Sequence, residues 1–143
     1  MNTIRNNSAS VTFNAKFLNS EALHEVVDYA ISHGKYKKLD IARQNIEMSM
    51  LKTRLHMTID SYNGMPMVTF YRFDPKHSVS FPKNFERDYN LIRQVEYVSK
   101  KEKNPLKFAY NLIVKMGRNV PKNKIFKEVV ANNAERKKFV HIG

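Results

Sequence analysis

Lys107, Asn111, Lys115 and Arg118 follow Pro105 at spacings of four, four and three residues. At about 100° per residue they form one stripe on a helix, opposite Ala109, Leu112 and Met116. Cations in such a line suit phosphate contacts, and an Asn among them can reach a base or sugar edge. Lys100, Lys101 and Lys103 lie just ahead of the stripe, and Lys122, Asn123, Lys124 and Lys127 follow it. Two amphipathic helices joined at Gly117 have the outline of a helix-turn-helix. The second group would then stand at the start of the helix that enters a groove. The competing reading is a solvated face that keeps two helices soluble.

A second set lies on a hairpin. Arg54 to Tyr62 alternates, Asn63-Gly64 turns, and Met65 to Phe73 returns. Asn-Gly is the preferred two-residue hairpin turn because both central residues need positive φ. If Tyr62 pairs with Met65, then Ile59 faces Val68, Thr58 faces Thr69, Met57 faces Phe70 and His56 faces Tyr71. Leu55, Met57, Ile59, Val68 and Phe70 are the core face. Arg54, His56, Tyr62, Tyr71 and Phe73 share the other. Aromatics on an open sheet stack bases, and Arg54 beside Tyr71 adds charge. Arg54, His56 and Tyr71 also have the side chains of an acid, a base and a phosphate clamp for a metal-free ribonuclease. Alternatively a helix covers this face and makes its aromatics core.

Other chemistries find little support. The 143 residues include no cysteine, which excludes disulfides and Cys-ligated zinc. Histidines 24, 33, 56, 77 and 141 show no H-x-H or H-x-x-x-H spacing. Glycines 34, 64, 117 and 143 are isolated, so no phosphate-cradling loop is present, and nothing marks an activated serine. No metal or cofactor is expected. No stretch approaches the roughly 18 apolar residues of a membrane span. The polar start, MNTIRNNSAS, is unlike a secretory signal. A cytoplasmic protein with no membrane partner is expected.

The net charge of +12 is unevenly spread. Residues 1–99 carry 13 basic and 10 acidic side chains, whereas residues 100–143 carry 12 and 3. A concentrated basic surface attracts polyanions, nucleic acid first.

These groups need elements to hold them. Residues 1–9 read as a flexible tail and 10–143 as one domain, with an α+β part over 10–82 and a basic helical part over 84–143. Val11, Phe13, Ala15 and Phe17 alternate as a strand within Ser10 to Phe17. Asn19 or Ser20 caps a helix carrying Leu23, Val26, Val27, Ala30 and Ile31, closed by Gly34. Its outer face holds Glu21, Glu25 and Asp28. Lys35, Lys37 and Lys38 fall in the connection to a helix from Asp40 to about Leu51. A strand over His77 to Phe81 follows the hairpin. Phe85, Tyr89, Ile92, Val95 and Val98 then fall at helical spacings, and that helix ends in the run 100–103. Pro105 opens a helix that Gly117 closes, and Pro121 suits the first turn of another. Arg136, Lys137 and Lys138 read as a frayed end.

The order strand, two helices, antiparallel sheet over about residues 10–82 resembles that of RelE-type mRNA-cleaving toxins. The likeness is in element order, without a shared motif, and the present chain is longer by a whole helical tail. Fold order alone assigns no chemistry.

The expectation is therefore an α+β protein: a small antiparallel sheet with two packed helices, followed by a basic helical C-terminal part. The leading function is non-enzymatic nucleic-acid binding, DNA or RNA, in an accessory or regulatory role. A homodimer is one arrangement this allows. The nucleic-acid-binding candidates are Lys100, Lys101, Lys103, Lys107, Asn111, Lys115, Arg118, Lys122, Lys124 and Lys127, with Arg54 and Tyr71 from the sheet. The alternatives are the ribonuclease and a module that docks on an acidic protein or a ribonucleoprotein. The short, Lys- and Asn-rich, Cys-free chain would also suit a phage-like accessory protein.

Overall fold

The computed structural model describes residues 17, 20–50, 53–74, 90–131 and 136–142. Four helices and four strands follow one another among them: α1 (Glu21–Ser32), α2 (Tyr36–Ser49), β1 (Arg54–Tyr62), β2 (Met65–Asp74), β3 (Asn90–Ser99), α3 (Pro105–Met116), α4 (Lys124–Val130) and β4 (Lys137–Ile142). The fold is α+β. The strands form one sheet in the order β1-β2-β3-β4. The helices bury their apolar sides on one face of it, around Leu55, Met57, Val68, Phe70, Val95 and Tyr97.

Local chemistry sets the ends of α1. Ser20 Oγ accepts from Leu23 N at 3.1 Å and satisfies one orphan donor of the first turn. The same hydroxyl donates to Met57 O at 3.3 Å, which ties the helix start to β1. Past the other end, Gly34 takes φ +68°, the left-handed position expected for it. Helix α2 begins a turn earlier than Asp40, so Lys37 and Lys38 are helical residues and not part of the connection. The hairpin has the anticipated register, with Ile59 opposite Val68 and His56 opposite Tyr71, and Asn63 and Gly64 both at positive φ.

The segment from 90 to 99 corrects the helix expected there. It is a strand, antiparallel to β2. Leu91, Arg93, Val95 and Tyr97 are all buried at every second position. An arginine at one of those positions disguises the alternation, and Ile92, Val95 and Val98 happen to fit a period of three. Lys137 and Lys138 are likewise in β4 and not in a frayed end, and β4 runs parallel to β3. The sheet is therefore mixed, and the C-terminal part holds two strands besides its helices. A parallel pair needs a crossover, and α3 with α4 supplies it.

Two arginines explain how α4 is held. Arg72 and Arg93 are opposite one another on β2 and β3, on the helix-covered face. Arg72 Nη2 donates to Val130 O at 2.9 Å and Ala131 O at 2.8 Å, and its Nε to Val129 O at 3.3 Å. Arg93 Nε donates to Glu128 O at 2.8 Å. The last carbonyls of a helix lack partners and carry its negative dipole end, so buried guanidinium groups satisfy both needs at once.

The expected strands at Ser10 to Phe17 and His77 to Phe81, and the tail at 1–9, lie outside the described residues, apart from Phe17. That residue is buried and bridges Leu55 in parallel. Among the described residues no helix is long and apolar enough to cross a membrane.

Candidate nucleic-acid interface

Helix α3 is built as its sequence suggested. Asn104 caps it, accepting from Leu106 N at 3.0 Å and Lys107 N at 3.3 Å, with Pro105 at the first helical position. Phe108, Ala109, Leu112, Ile113 and Met116 are buried, and Lys107, Asn111, Lys115 and Arg118 are exposed. Along the axis Lys107 and Lys115 stand about 12 Å apart. That spans several phosphate repeats of a duplex strand at about 3.4 Å each. Lys107 shares its charge with Glu102 at 3.7 Å, an exposed pair of little strength. Lys115 and Arg118 make no ion pair among the described residues. Lys100, Lys101 and Lys103 are exposed in the connection before the helix.

The second cationic group joins the first through Asn123. Its Oδ1 caps α4, accepting from Ile125 N at 2.9 Å and Phe126 N at 3.1 Å. Its Nδ2 donates to Arg118 O at 2.9 Å and to Lys115 O. One side chain therefore ties the end of α3 to the start of α4 and gathers Lys115, Arg118, Lys122 and Lys124 around that junction. Asn123 is a clamp in this arrangement, with both ends of its amide engaged. Pro121 lies in the turn before the helix and not in its first turn, and α4 is only 7 residues long.

Arg54 and Tyr71 do not join this surface. They project from the sheet face opposite the helices, which is also where Tyr71 stacks near Phe73, ring centroids 6.4 Å apart. The predicted aromatic platform is partly closed: Phe73 and His56 are buried, Tyr71 is half-buried, and Tyr62 remains exposed. Burial raises the Tyr71 phenol above its ordinary pKa. It lowers His56 to about 4, so the imidazole is neutral at pH 7. Arg54, His56 and Tyr71 are nevertheless neighbours in the sheet: His56 pairs with Tyr71 at a centroid distance of 6.2 Å, and Arg54 pairs with Phe73.

Sequence reasoning missed two rings on this face, Phe139 and His141. Phe139 packs edge-on to Tyr62 at 4.9 Å and to His141 at 5.1 Å. The alternation of Lys137, Phe139 and His141 was the available signal, hidden by a basic run that resembled a tail. Among the described residues no three His, Asp or Glu side chains gather in a way that could hold a metal ion.

No family model, curated protein or solved structure matches the chain.

Proposed function

We propose that the protein binds nucleic acid without transforming it, through phosphate contacts from α3 and the α3–α4 junction. It would act in the cytoplasm as an accessory or regulatory factor. The observation that carries this reading is the exposed line of Lys107, Asn111, Lys115 and Arg118, continued by the Asn123 clamp into Lys122, Lys124 and Lys127. Lys115, Arg118, Lys122, Lys124 and Lys127 make no ion pair among the described residues, which leaves their charge available to a polyanion.

Salt dependence tests the reading. Each phosphate contact releases condensed counterions, so affinity falls with salt with a logarithmic slope of about −0.7 to −0.9 per contact. Replacing Lys107, Lys115, Arg118 and Lys122 by Gln is expected to shorten that slope by about 3 units and weaken binding at least tenfold at about 100 mM salt. Fluorescence anisotropy on a labelled oligonucleotide measures both. Unchanged affinity in the variant, or a flat response of the intact protein between about 50 and 200 mM, overturns the proposal.

A further inference from the structure

We propose that a recess beside α4 takes a terminal phosphate of a nucleic-acid strand. The inference rests on the nucleic-acid reading and names what part of the strand this site holds. The recess has a volume of about 370 Å³ and is lined by Arg93, Lys122, Lys124, Lys127, Glu128 and Lys138. They come from β3, the α3–α4 junction, α4 and β4, so no single helix face or helix end makes the site. With Ala131 the lining comprises seven residues, and five of the seven are cations. The one carboxylate is already engaged: Glu128 Oε2 takes Arg93 Nη2 at 3.0 Å and Lys138 Nζ at 3.1 Å. Lys122, Lys124 and Lys127 make no ion pair among the described residues. Like charges gathered around one recess repel one another. A bound anion relieves the repulsion.

Charge and shape select the class of anion. A terminal phosphomonoester carries about −1.5 to −2 at neutral pH, more than an internal phosphodiester, and so gains more from a cluster of cations. It also ends its chain and can enter a recess, whereas internal phosphates suit the open ridge of α3. The volume is at the lower end of small-ligand sites, about 300–1,000 Å³, which leaves room for the sugar that bears the phosphate.

The test compares one single-stranded oligonucleotide in three forms: with a 5′-phosphate, with a 3′-phosphate, and with hydroxyl groups at both ends. At least one phosphorylated form is expected to bind about tenfold tighter than the hydroxyl form at matched ionic strength. The preference is expected to vanish in Lys124→Gln/Lys127→Gln, two exposed substitutions. Lys107→Gln should weaken all three forms alike and keep the preference. Equal binding of the three forms overturns the recess proposal and leaves the broader reading standing. Binding of inorganic phosphate while none of the three strands binds overturns both. Binding of nothing overturns both as well.

Discussion

On β1, His56 is 2% exposed opposite Tyr71 of β2, and burial lowers its pKa from 6.5 to about 4. In the unfolded chain the ring regains its ordinary value. Between pH 6.5 and about 4 the unfolded state therefore takes up a proton that the folded state refuses. Stability from this group is present above 6.5, falls through that window, and stops falling below about 4. The whole effect is about 3–3.5 kcal/mol at its limit. Urea midpoints at pH 7.5 and 4.5 check it: wild type should lose more stability on acidification than His56→Gln, and equal losses would refute the assignment. Arg72 illustrates the opposite solution to burial. Desolvation and then the nearby Arg93 charge lower its pKa too. Yet an arginine starts so high that it stays charged, and the carbonyls at the end of α4 replace its lost water.

At the scale of elements, Gly117 sets how closely α3 approaches α2. A Cβ there would lie 2.5 Å from the Ala42 backbone, and Asn45 Nδ2 donates to Gly117 O at 3.1 Å across the same crossing. Its φ of −85° is ordinary, so the glycine serves proximity here and not a left-handed cap. Gly117→Ala should therefore destabilise by about 1–3 kcal/mol, through overpacking that backbone must absorb. A urea midpoint unchanged from wild type would exclude that crossing as a tight one. The contrast shows what the chain discloses. The hairpin, the Ser20 cap, the Pro105 helix start and the α3 stripe were legible because a few adjacent residues determine each. Strand β3 was not, because its alternation includes a buried arginine whose partners are 35 residues away on α4. The parallel pairing of β4 was hidden for the same reason, since it depends on the crossover folding back.

For the whole molecule, counting charge along the chain located the cationic surface roughly, on α3 and its surroundings, but not the recess. The recess requires Arg93 from β3 and Lys138 from β4, which sequence placed in a helix and in a frayed end. It also separates Arg54 and Tyr71 from the lysines by the thickness of the sheet. The concentration of cations has a second consequence, for folding. A chain at +12 repels itself most when compact, and three of the recess lysines make no ion pair among the described residues. Counterions soften that repulsion. Raising sodium chloride from about 20 to 200 mM should lift the melting temperature by a few degrees. A melting temperature that stays level or falls over this range would refute it. The same salt that detaches a polyanion should thus tighten the protein, so its most robust free form and its most avid form belong to opposite ionic regimes.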